Sequence, residues 1–129
     1  MYPSLTTHGI CISVQSAYIP EQSTIEPPNY VFAYKIHIKN ESSQAVQLVR
    51  RHWDICEALG EKRTVDGEGI VGQQPLLLAG DEYTYVSGSV LSSPIGKMEG
   101  YYTMVVPESG DTFQVTIPPF VLEAEWMKG

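Results

Sequence analysis

The sequence predicts an all-β domain: a two-sheet sandwich of immunoglobulin or fibronectin type III type with seven to eight strands. Composition is the first sign. The 129 residues include 12 Val, 10 Ile, 8 Thr and 8 Tyr against 6 Ala and 8 Leu, and β-branched and aromatic side chains suit a pleated, half-buried surface. Periodicity is the second, since apolar residues alternate with period two in short runs and no segment keeps a 3.6-residue period over a helical length. Punctuation is the third, because Gly, Pro, Asn, Asp and Ser clusters separate the runs at short intervals.

Each element has its own warrant. Ile10 to Tyr18 alternates, with Ile10, Ile12 and Val14 on one side and Cys11, Ser13 and Gln15 on the other. Residues 19–29 hold Pro20, Pro27 and Pro28 among polar residues and read as a long loop. In Tyr30 to Asn40, Tyr30, Phe32, Tyr34, Ile36 and Ile38 face a core, while Lys35, His37 and Lys39 face away. Asn40-Glu41-Ser42-Ser43 turns the chain. Ala45 to Glu57 follows, with Arg51, Trp53 and Ile55 on one face and Leu48, Arg50 and His52 on the other. Short strands are expected at Lys62 to Val65, Tyr83 to Leu91, Met98 to Pro107 and Thr112 to Ile117. Pro118-Pro119 then breaks the chain, and Phe120 to Glu125 extends the same edge, where proline is tolerated. Trp126 to Gly129 is expected to fray. No repeat or boundary divides the chain, so residues 1–129 read as one domain, long enough to bury a core without disulfides or metals.

Charge and targeting narrow the classes. Lys and Arg number 8 against 15 Asp and Glu, a net charge of −7 that disfavours nucleic acid. The start has neither a basic region nor an apolar run, and no stretch reaches the roughly 18 apolar residues of a membrane span. Cys11 and Cys56, outside any C-x-x-C, fit reduced thiols in a cytoplasm.

Three groups of residues bear on function. Gly67-Glu68-Gly69-Ile70-Val71-Gly72 matches G-x-G-x-x-G, but Pro75 and a leucine triplet follow where a dinucleotide site needs a helix. Asp66 and Glu68 oppose a phosphate there, so the residues favour a tight inter-strand loop over an anion nest. Arg50-Arg51-His52-Trp53 is the one basic cluster. Arg51 and Trp53 project from one face, either as a cross-strand packing pair or as an interaction hot spot. His8, His37 and His52 lack ligand spacing, and no nucleophile–base motif or carboxylate pair stands out, so neither a metal nor a catalytic residue is named.

Taken in order, Tyr30-Val31-Phe32-Ala33-Tyr34, Arg51-His52-Trp53, residues 67–75, Pro94 to Met104 and Phe113 to Pro118 resemble the ApaG family, also called CorD. Val86 stands where the family pattern suggests Thr, and Ala79 where it suggests Pro. The resemblance implies a fibronectin type III-like sandwich in a bacterial cytoplasmic protein without an established enzymatic activity or cofactor. It also implies links to cobalt tolerance and magnesium efflux, a gene neighbourhood shared with a dinucleoside tetraphosphatase, and related eukaryotic domains that look like protein-interaction modules. Gly67, Gly69 and Gly72 become candidates for binding a pyrophosphate-bearing nucleotide. The expected function is a non-enzymatic binding module that meets another protein, with Arg51 and Trp53 on the partner surface. A homodimer through a free sheet edge is the further expectation.

Overall fold

The structure is a computed structural model that describes residues 2–124. Among them are nine strands: β1 (Ser4–Thr7), β2 (Ile10–Tyr18), β3 (Tyr30–Asn40), β4 (Val46–Glu57), β5 (Lys62–Glu68), β6 (Leu76–Leu77), β7 (Glu82–Leu91), β8 (Ile95–Val105) and β9 (Thr112–Glu123). A four-stranded antiparallel sheet runs β1-β2-β3-β7, and it faces a sheet of order β5-β4-β8-β9 in which β6 also pairs with β4. The chain is therefore the all-β, two-sheet sandwich that the alternation predicts. Inner faces carry the core: Ile10, Ile12 and Val14 from β2 and Met104, Val115 and Ile117 from the opposite sheet belong to one hydrophobic cluster, all essentially buried.

The differences from expectation are local. β1 and β6, four and two residues long, are too short to show a period. Pro20–Gln22 forms one 3-10 turn within the expected loop. Pro118 and Pro119 do not end β9: the ladder with β8 slips by a bulge between Met98 and Gly100 and resumes at Phe120, and the outer edge of β9 needs no N–H from proline. The expected extension to Glu125 and the terminal residues 125–129 lie outside the described residues.

One difference matters for the site. A bulge between Leu48 and Arg50 shifts the register of β4 against β8. Val46 and Leu48 face the core before it, and Trp53 and Ile55 face the core after it. Leu48 thus does not share a face with Arg50 and His52, because one inserted residue inverts the alternation.

The two sides of the sandwich are unequal. On one, β9 packs against β1 and β2 and closes the space between the sheets. On the other, β5 and β7 stand apart around a cavity of about 470 Å³.

Candidate functional site

The cavity exists because two edge strands turn their inner faces to each other without meeting. Register with β4 sets Arg63, Val65 and Gly67 opposite Ile55, Trp53 and Arg51, so these β5 residues point inward. Val65 is left open, 38% exposed on what is formally an inner face. Inward positions on β7 read Tyr83, Tyr85, Ser87, Ser89 and Leu91, and the two serines replace apolar core residues at the open side.

The floor is aromatic and apolar, built from Tyr34, Trp53, Ile55, Tyr85 and Met98. Trp53 packs on Tyr34 with ring centroids 5.4 Å apart and meets Phe120 edge-on at 5.9 Å. The hydroxyls of Tyr85 and Tyr102 hydrogen-bond across the two sheets. Burial raises the pKa of Tyr34, against the opposing Ser87 hydrogen bond and Arg51 charge, and burial likewise pushes Tyr85 up, so both phenols are neutral at pH 7.

The rim is basic. Arg51 lays its guanidinium over Gly67, where a Cβ would sit 2.7 Å from Cζ, and Nη1 donates to the carbonyls of Glu68 and Gly69 at 3.0 Å each. Arg63 reaches across the opening, its Nη2 donating to the Val90 carbonyl at 2.8 Å and to Ser89 Oγ at 3.3 Å. Among the described residues no Asp or Glu lines the cavity. Among the described residues neither guanidinium forms an ion pair with a carboxylate.

The expected site residues fall at different places. Arg51 is on the rim, as a surface reading requires. Trp53 is only 3% exposed; it is part of the floor and not of an open surface, because β5 and Phe120 enclose the indole. Gly67 is the seat of the Arg51 side chain. Gly69, at φ +60°, lies where a Cβ would come within 2.1 Å of the Gln73 carbonyl. Val71 and Gly72 both have positive φ, +47° and +76°, between Ile70 and Gln73, which exchange two backbone hydrogen bonds. That is the pattern of a type I′ turn. The N–H groups of Gly69, Ile70 and Gln73 are already bonded to Val49, Gln73 and Ile70. The three glycines thus each have a local steric or turn requirement and do not line up as one cradle.

The histidines stay apart. His8 packs on Phe113, and His37 bonds Thr84 and Glu82. His52 lies on the outer face of β4, with Nδ1 2.7 Å from Asp66 and Nε2 3.0 Å from Asp54, stacked on Tyr101. The Asp66 bond chiefly raises its pKa. Among the described residues no three His, Cys, Asp or Glu side chains are grouped as metal ligands, and no helix is long and apolar enough to cross a membrane. Arg63, Ser87 and Ser89 are the site residues that sequence reading misses; the signal was two serines at inward positions of β7.

Comparison with known proteins places this architecture. The ApaG domain family matches residues 20–106. The chain is 52% identical over 113 residues to Protein ApaG of Vibrio cholerae, covering 88% of this chain and 89% of that protein. It is 49% identical over 117 residues to Protein ApaG of Proteus mirabilis, covering 91% and 93%. A crystal structure of a Bordetella pertussis protein described as ApaA superposes with a TM-score of 0.86 at 40% identity, over 96% of this chain and 97% of that one. An X-ray structure from a structural genomics consortium superposes with a TM-score of 0.87 at 37% identity, over 95% and 92%. The chain belongs to the ApaG domain family.

Proposed function

We propose that this ApaG domain is a non-enzymatic binding module and that it holds another protein at the open side between β5 and β7. One observation carries the reading: an acid-free groove with an aromatic floor and two guanidiniums on its rim, in a chain of net charge −7. Aromatic and Arg side chains around a desolvated pocket are the composition of interaction hot spots, and a groove of this volume falls within the range of binding sites. Two free cysteines support action in a reducing cytoplasm. The link to cobalt tolerance and magnesium efflux enters only as an indirect consequence of such binding.

A photoreactive residue at Val65, compared with one at Val121 on the exposed face of β9, tests the reading in cells. A partner cross-linked at 65 is identified, purified and titrated with the wild-type chain and with Arg63→Glu/Val65→Asp. At least tenfold weaker binding of the variant is expected. Equal cross-linking at both positions, or equal affinity, contradicts it.

A pyrophosphate-bearing nucleotide at Gly67, Gly69 and Gly72 is the second reading. Its support is that this loop adjoins Arg51; the bonded N–H groups and the flanking Asp66 and Glu68 weigh against it. Amide-shift titration with ATP, diadenosine tetraphosphate and pyrophosphate decides. Silence of residues 67–73 at millimolar ligand ends it.

A further inference from the structure

Among the described residues the sheet edges are formed by β1, by β5 with the two-residue β6, by β9 and by β7, and all but β7 are guarded against adding a strand. β1 is four residues long. β5 carries Lys62, Asp66 and Glu68, and β9 carries two prolines and a bulge. Charges, prolines, bulges and shortness are the usual means of blocking an edge. β7 has ten residues and an unbroken register with β3.

The backbone direction of β7 follows from its neighbours. Val31 of β3 turns its carbonyl to Ile19 and its N–H to Ser23, on the side of β2. Even-numbered residues of β3 therefore bond β7, and by register their partners are Tyr83, Tyr85, Ser87 and Ser89. Thr84, Val86, Gly88 and Val90 then present their N–H and C=O groups outward. Arg63 bonding the Val90 carbonyl agrees with this, and it occupies the place that an added strand's donor would take. Val86 and Val90 are 59% and 45% exposed.

We propose that β7 accepts an extended acidic segment of the partner protein as a fifth strand of its sheet. Inward side chains of that segment enter the groove: an apolar or aromatic one meets Trp53 and Met98, and a carboxylate takes Arg63 from its carbonyl and approaches Arg51. This rests on the protein-binding reading and names the partner's chemistry. Main-chain bonds supply affinity and the alternate pockets supply specificity, as in other strand-addition sites, while a guanidinium offers a carboxylate a fork of donors. A second copy of the chain fits less well. The acid on its β7, Glu82, is held by His37 on the outer face at 2.7 Å, so no carboxylate would reach Arg63.

A displayed library of seven-residue peptides is selected on the wild-type chain. An enriched peptide is then titrated against wild type, Arg63→Glu and the milder Arg63→Gln, with amide hydrogen exchange read at Val86, Gly88 and Val90. Expected are an Asp or Glu within two residues of an aromatic or aliphatic residue and at least tenfold weaker binding by Arg63→Glu. The weakening should recur when the peptide's acid becomes an amide, and the Val86 and Gly88 amides should be protected at least tenfold. Peptides that bind the groove without an acid, or equally well to the wild-type chain and to Arg63→Glu, overturn the acidic recognition and leave the binding-module reading standing. Binding without protection at Val86 and Gly88 overturns strand addition. Protection that already grows with protein concentration in the absence of peptide assigns the edge to a second copy and overturns the proposal. Enrichment of no peptide at all overturns it too; the partner cross-linked at Val65 then decides the binding reading separately.

Discussion

Arg51 reaches over Gly67 to the carbonyls of Glu68 and Gly69, and this one side chain links the glycine-rich loop to the groove. The loop's glycines predict different responses to substitution. Gly69→Ala puts a methyl against the Gln73 carbonyl at positive φ and should cost about 2 kcal/mol or more in urea unfolding. Gly72, with open space around its missing Cβ, should tolerate Asn with little loss. Val71 is the strained member, a β-branched residue at φ +47° that is 63% exposed. Val71→Asn should stabilise by about 0.5–1 kcal/mol, since Asn-Gly is the preferred type I′ pair. Trp53→Ala should cost about 3–5 kcal/mol, as for a core aromatic; unchanged stability would return Trp53 to the surface. At this scale the sequence revealed that Arg51 and Trp53 share a face, because side chains two apart on a strand must. It did not reveal that the face is the buried one, because both faces of β4 mix apolar and charged residues.

At the scale of elements, the deviations from ideal strands position the site. The Leu48/Arg50 bulge turns Arg51 and Trp53 inward, and it is invisible in the sequence because Val49 fits either face. Gly100 stands opposite Trp53, where a Cβ would come within 1.9 Å of the His52 carbonyl. Gly100→Ala should therefore force β4 and β8 apart and lower the denaturation midpoint clearly, whereas Gly110→Ala, with open space around it, should have only the smaller effect of its positive φ. Two titrating groups fasten β4, Glu57 at its end and His52 in its middle, with opposite pH signs. Burial raises the Glu57 carboxyl, but hydrogen bonds from Ser92 and Ser93 outweigh it and hold the pKa below the ordinary 4.5. Its stabilisation is complete above pH 4.5 and is lost as the pH falls through the lower, folded value. His52, raised by Asp66 and Asp54, stabilises the β4–β5 ladder fully below pH 6.5, and that part is lost as the pH rises through the higher, folded value. Urea unfolding across pH 3–9 should show the acid loss shrink in Glu57→Gln, with the lowered Asp54 carboxyl keeping the remainder, and the alkaline loss disappear in His52→Gln.

The whole molecule is a sandwich closed on the β9 side and open between β5 and β7. Composition and alternation were enough to read the two sheets, since one buried face per strand imposes period two. The opening was not legible, because it depends on which strands lie at edges, and that order follows from long-range pairing. The serines at 87 and 89 become informative only once β7 is known to border a gap. The central claim is that this gap is where the chain binds. The direct test is an amide-shift map of the whole chain titrated with the protein cross-linked at Val65. The prediction is a continuous set of shifts over residues 63–65 and 86–90 with the floor residues Tyr34 and Trp53. Shifts centred on β1, β9 or residues 67–73, with 63–65 and 86–90 silent, would contradict it.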